Sequence, residues 1–330
     1  MSKFYKPYSE DRLICTLCNH YCKIKKNQTG ICGVNKNIGE KIECLVYGYP
    51  IAMAVDPIEK KPLYHFLPDS KAFSIGTVGC NLKCPFCQNW NISQTVHIDK
   101  SRYFSAEDIV YLSLENSCQS IAYTYNEPTI FYPYARDIAI KAQKKGLKNI
   151  FVTNGYESKE VIEDMVGVID GANIDLKSFN KTYYQKELGA NLEKILDSIK
   201  LFVQKGIWVE ITTLIVPTKN DSDSELKEIA NFIAKELGVY VPWHISAFHP
   251  NYKEQNLPRT SIEILNRAYN IGKEAGLNYI YMGNIGIENS TNCPKCHTTL
   301  IKREYFGVQE NNLIDGKCPS CGYKLEGVFQ

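Results

Sequence analysis

Between residues 72 and 285 two hydrophobic rhythms alternate along the chain. Short, almost continuous apolar runs rich in β-branched and aromatic residues occupy 72–78, 120–125, 149–154, 171–176, 207–216 and 243–248, with a shorter one at 279–283. Between them lie longer segments in which apolar residues recur with helical period. Runs of the first kind read as strands buried on both faces, and their alternation with helices predicts a parallel sheet of βα units. The boundary chemistry agrees. Ser105 to Asp108 and Thr260 to Glu263 read as capping-box openings, and Gly146, Gly206, Gly238 and Gly276 fall where helices should end. The expected fold class is α/β, an open or partial TIM-like barrel of the (β/α)6 kind, with its chemistry at the C-terminal ends of the strands. The flanks break the rhythm. Residues 1–71 carry little regular pattern and 288–330 form a short, turn-rich tail, which divides the chain into segments 1–71, 72–287 and 288–330.

Composition narrows the classes. The 330 residues are 44% hydrophobic and 22% charged, enough for a sizeable core. A net charge of +2 makes no bulk demand for nucleic acid or an acidic membrane as partner. The first residues are polar, with no apolar leader, and no run approaches the ~18 apolar residues of a membrane span. A cytoplasmic protein without a membrane partner is expected. In that reducing compartment the 13 cysteines are not a disulfide framework. Eleven fall into three compact groups, which read as metal ligands, while Cys44 and Cys118 stand apart and read as buried thiols.

The central group follows the first strand: Cys80, Cys84 and Cys87, spaced C-x3-C-x2-C with Phe86 before the third. Three thiolates on one tight loop can hold three irons of a [4Fe–4S] cubane and leave the fourth iron open. An open iron suits S-adenosylmethionine (SAM), whose amino and carboxylate groups can chelate it. A zinc knuckle is the competing reading, but such sites draw four ligands from paired hooks and no fourth cysteine is near.

This motif and its place in a βα array resemble the radical SAM superfamily. Val55 to His65, with Gly76 to Cys80 and Cys87 to Trp90, is similar to one branch, the AmmeMemoRadiSam-system radical SAM enzymes, relatives of the pyruvate formate-lyase activating enzymes. The resemblance implies a partial barrel of the radical SAM type and assigns further residues to the SAM site. Glu127, in Asn126-Glu-Pro, matches an acid that meets the SAM amino group, and its alternative role is a helix-start acid. Thr153 and Asn154 match a strand end lining the SAM pocket, although Val152 stands where the relatives place a cation-binding aspartate. Asp175 and Lys177 share a strand face and match an Asp-Leu-Lys beside the SAM carboxylate and the substrate; mutual ion pairing is the alternative. His249 matches a histidine near the adenosyl portion. Glu210 and Thr212 share a face that points into the barrel.

Two cysteine groups remain. Cys15, Cys18, Cys22 and Cys32 suit either a structural zinc or an auxiliary Fe–S cluster. Cys293, Cys296, Cys318 and Cys321 form two C-x2-C hooks of a zinc-ribbon or rubredoxin-like module, holding zinc or a single iron.

The expected function is reductive cleavage of SAM to a 5′-deoxyadenosyl radical, which abstracts hydrogen from a substrate, a protein or RNA. The resemblance implies an electron donor such as ferredoxin or flavodoxin, and association with Memo-like and AMMECR1-like proteins. Activation of a glycyl-radical enzyme is the alternative within this chemistry. A non-catalytic Fe–S or zinc scaffold binding nucleic acid is the alternative outside it, and it leaves the strand-end charges without a purpose.

Overall fold

The computed structural model describes residues 4–330. Ahead of the first apolar run lie six short strands: β1 (Tyr5–Ser9), β2 (Arg12–Cys15), β3 (Lys23–Lys25), β4 (Asn35–Asn37), β5 (Ile42–Cys44) and β6 (Ala52–Pro57). The seven runs become β7 (Lys71–Gly76), β8 (Ser120–Tyr123), β9 (Lys148–Thr153), β10 (Gly171–Asp175), β11 (Trp208–Ile215), β12 (Trp243–Ala247) and β13 (Ile280–Gly283). They form one sheet in chain order, every neighbouring pair parallel. Helices fill the crossovers, as parallel pairing requires. The sheet is an open barrel, with β6 at one edge and β13 at the other.

β6 was not legible as part of the sheet. It pairs antiparallel with β7, Ala52 opposite Gly76 through Pro57 opposite Lys71, so the chain crosses residue 71 inside one hairpin. Its alternate half-exposed positions mark an edge strand rather than a buried run. The helix boundaries hold with one shift. Ser105 and Asp108 form a reciprocal capping box on Ala106–Glu115. At the last long helix, Ile262–Glu274, the cap is Ser261 rather than Thr260. The Thr260 hydroxyl is buried instead, donating to Ile215 O and accepting from Phe248 N.

The two ends of the barrel differ in kind. At the N-terminal ends of the strands, residues 58–66 fold inward and seal the interior. Glu210 accepts from the backbone N–H of Tyr64 and of His65, from Trp208 Nε1, and pairs with His244 Nε2 at 2.7 Å. His65 sits between Glu326 O and the Tyr281 hydroxyl. Beyond β13 the chain forms β14 (Glu288–Asn292), β15 (Thr299–Glu304) and β16 (Gly307–Asn311), a separate antiparallel sheet. Arg303 of that sheet is fully buried against the seal, donating to Tyr64 O and Thr291 Oγ1 beside Glu59. Among the described residues no helix is long and apolar enough to cross a membrane.

Candidate active site

The other end carries the chemistry-bearing residues. The loop after β7 turns sharply at Gly79, whose φ of +89° favours glycine. A Cβ there would also approach Cys32 O to 2.7 Å. Leu82 N donates to Cys80 Sγ, Ser93 Oγ lies 3.2 Å from Cys87 Sγ, and Lys253 N donates to Pro85 O. Burial pushes the Cys84 thiol up to about 11, against the pull of Lys177. Burial, then the Glu127 carboxyl, pushes Cys80 up as well. Thiols so placed ionise when a cation takes the charge, and three on one loop fit a cubane with one open iron.

Asn126 clamps this loop. Its Oδ1 accepts from Thr77 N, and its Nδ2 donates to Gly79 O at 2.8 Å and to Thr77 Oγ1. The residue before it, Tyr125, has φ +69°, which costs a non-glycine residue on the order of 1 kcal/mol. Its hydroxyl donates to Asp56 of β6, which also holds Lys60 and Lys61.

Glu127 is buried and heavily engaged. Oε1 accepts from Thr129 N, Thr129 Oγ1 and Thr153 Oγ1, and Oε2 from Asn154 N. It caps the short helix Pro128–Phe131, and one remaining lone pair of Oε2 can still meet a ligand. Glu157, which sequence reasoning missed, shares the Thr129 and Thr153 hydroxyls with it. Burial, then the Glu127 carboxyl, raises Glu157 to about 8, and burial pushes Glu127 up as well. Asn154 reaches Asn81 Oδ1 at 2.8 Å, next to Cys80.

Asp175 and Lys177 pair at 2.7 Å on the rim. Burial would lower the Lys177 pKa, but Asp175 and then Cys84 raise it, so the ammonium stands within electrostatic reach of a cluster-loop thiol. His249 is part-exposed on the loop after β12, its Nε2 3.3 Å from Asn284 O. That loop returns over the cysteines, where Tyr252 stacks on Trp90 at 5.3 Å. Glu210 belongs to the sealed end instead. Thr212, between the two ends, has a buried hydroxyl with no partner.

The flanking cysteines differ in spacing. All four C-terminal ligand atoms lie within 4.8 Å of one another, with Cys293 to Cys321 and Cys296 to Cys318 both 3.6 Å. Tetrahedral Zn–S bonds of ~2.3 Å set sulfurs about 3.8 Å apart, so this group fits one metal ion. Cys15, Cys18, Cys22 and Cys32 line a single enclosed pocket with Asn81.

Comparisons agree with this geometry. A profile of the radical SAM superfamily matches residues 74–233. The uncharacterised protein MJ0808 of Methanocaldococcus jannaschii is 40% identical over 99% of this chain and 98% of its own length. The pyruvate formate-lyase 1-activating enzyme of Escherichia coli is 25% identical over 52% of this chain and 71% of its own. A putative glycyl-radical enzyme activating enzyme, MJ1227 of M. jannaschii, is 29% identical over 56% and 75%. A solved radical SAM methyltransferase from Sphaerobacter thermophilus shares the fold, with a TM-score of 0.52 at 16% identity over 66% of this chain and 67% of that one. With the cysteine loop at the mouth of an open βα barrel, these matches establish that the chain is an enzyme and belongs to the radical SAM superfamily.

Proposed function

We propose that Cys80, Cys84 and Cys87 hold the [4Fe–4S] cluster, that SAM binds among Glu127, Thr153, Asn154, Asp175, Lys177 and His249, and that the enzyme abstracts hydrogen from a segment of a macromolecule. The observation that carries this reading is the convergence of Cys80–Cys87, Glu127 and the Asp175–Lys177 pair on one rim from separate strands. A [4Fe–4S] cluster held by Cys80, Cys84 and Cys87 would supply the one electron needed to cleave the SAM sulfonium bond to a 5′-deoxyadenosyl radical.

The chain's own residues do the rest. Glu127 offers its free lone pair to the SAM ammonium, an interaction strengthened by charge in a dry site. Lys177 faces the SAM carboxylate, with Asp175 holding the ammonium in place. The loop carrying His249 and Tyr252 covers the cysteines and limits water. The open edge between β6 and β13 leaves the sheet unclosed, which favours a protein or RNA segment over a sealed small molecule. Reduction calls for a low-potential donor of the ferredoxin or flavodoxin class.

Similarity to activating enzymes favours a second reading, in which the substrate is a glycyl-radical enzyme. The Val55–His65 segment favours the AmmeMemoRadiSam branch, with Memo-like and AMMECR1-like proteins as partners. The test is anaerobic reconstitution, then dithionite and SAM. 5′-Deoxyadenosine should form, and Cys84→Ala should abolish it. Its absence from protein with an intact cluster would sink the proposal. Deuterium passing into 5′-deoxyadenosine from a labelled glycyl-radical enzyme, rather than from other proteins or RNA, would select the second reading.

A further inference from the structure

We infer that Cys15, Cys18, Cys22 and Cys32 hold a second [4Fe–4S] cluster, ligated wholly by protein, that receives an electron from a low-potential donor protein and passes it to the cluster at Cys80–Cys87. The relay half of this inference rests on the proposed catalytic cluster; the site itself does not.

Sulfur spacing separates this group from the ribbon. Among the described residues, only the C-terminal four bring three or more ligand atoms within 4.8 Å of one another. Sulfurs on one zinc ion must crowd to about 3.8 Å, as the ribbon's nearly do. Terminal sulfurs of a cubane sit on different irons and stand further apart. Neither the N-terminal group nor the Cys80 triplet brings three sulfurs within 4.8 Å of one another.

A second observation concerns Asn81. It is 1% exposed, lines the N-terminal cysteine pocket, and its Nδ2 has no hydrogen-bond partner. A buried N–H of this kind costs about 1–3 kcal/mol unless it finds an acceptor. The ligating thiolates can accept it, and the bridging sulfides of a cluster add further acceptors beyond them. Asn35 Nδ2 already donates to Cys32 Sγ at 3.4 Å, the sort of contact that tunes a cluster's potential.

Placement supplies the function. Cys32 O packs on Gly79, His20 Nε2 lies 2.8 Å from Asn81 O, and Asn81 follows Cys80 in the chain. One layer of loop therefore separates the two sites. Cys18, Cys22 and Cys32 are part-exposed, as Cys80 and Cys87 are, so a donor protein can approach the N-terminal site from solvent. The transfer moves one electron from donor to outer cluster to inner cluster, with no bond made or broken before SAM is cleaved.

The decisive protein is Cys80→Ala/Cys84→Ala/Cys87→Ala, which leaves the N-terminal ligands intact. After anaerobic reconstitution it should carry about four irons and four sulfides per chain against about eight in the wild type. Its reduced-state EPR signal should not respond to SAM. A triple variant with no iron and about two zinc ions would overturn the site and leave the catalytic reading standing. A triple variant that keeps all the wild-type iron would instead sink the catalytic reading. For the relay, Cys18→Ser with its inner cluster intact should be reduced at least ten-fold more slowly by flavodoxin, yet at an unchanged rate by dithionite. Equal flavodoxin rates would overturn the relay.

Discussion

Asn126 immediately precedes the buried Glu127, and the structure gives the asparagine a task of its own. Its three hydrogen bonds fasten Thr77 and Gly79, the residues that set the path into Cys80. At about 1 kcal/mol net each, their loss would loosen the loop without unfolding a barrel of this size. Asn126→Ala should therefore fold normally, and its reconstituted iron should pass to a chelator several-fold faster than in the wild type. Equal rates of iron loss would show that the clamp does not support the loop. The motif cysteines stood out in the sequence because their spacing is local. The clamp did not, because its partners lie nearly fifty positions away. Glu157 escaped for a similar reason: nothing local announces a carboxyl that shares hydroxyls with Glu127.

Among elements, the runs that became β7 to β13 were readable because parallel strands are buried on both faces and leave an unbroken apolar trace. β6 and the inward-folded segment 58–66 were not: β6 is a half-exposed antiparallel edge strand, and Glu59, Tyr64 and His65 meet partners far away in the chain. That segment predicts an acid response. Burial lowers the His65 pKa to about 4, so the folded state holds it neutral while the unfolded chain protonates near 6.5. Its contribution is present above pH ~6.5 and is lost as pH falls toward 4, about 3 kcal/mol in all. His65→Gln can keep a donor to Glu326 O and an acceptor for Tyr281 without titrating. Its stability should fall less steeply between pH 6.5 and 4, as urea midpoints would record; parallel curves would count against His65 as the titrating group. Arg303 tests the same seal from the other side. Arg303→Met leaves Glu59 buried beside an apolar chain and should cost about 3–5 kcal/mol. Adding Glu59→Gln should recover part of that loss, whereas additive losses would show that the two side chains do not interact.

At the scale of the whole molecule, the ribbon is fastened to the barrel by more than its covalent link. Cys293 and Cys318 are buried in one apolar cluster with Leu300 and Ile301 of the ribbon, Tyr279 and Tyr281 of β13 and its approach, and Tyr64 of the seal. Phe66 forms a bridge with Val328, so the last residues return to the barrel floor. A metal at Cys293, Cys296, Cys318 and Cys321 thus does more than fold a tail. The binding free energy of a structural ion is folding free energy, and here that energy would hold a cover on the barrel floor. The Cys80–Cys87 loop at the mouth lies at the opposite end of the strands from the ribbon. Extracting the ribbon's ion with a zinc-selective chelator should therefore lower the melting temperature by several degrees. Hydrogen exchange should rise first in 288–330, then in β13 and residues 62–66. Iron content and SAM-dependent EPR signals should stay unchanged in the same sample. If extraction instead released iron in proportion to zinc, the two ends of the barrel would be one cooperative unit, and the division of labour between a sealed, ribbon-held floor and a chemical mouth would be wrong.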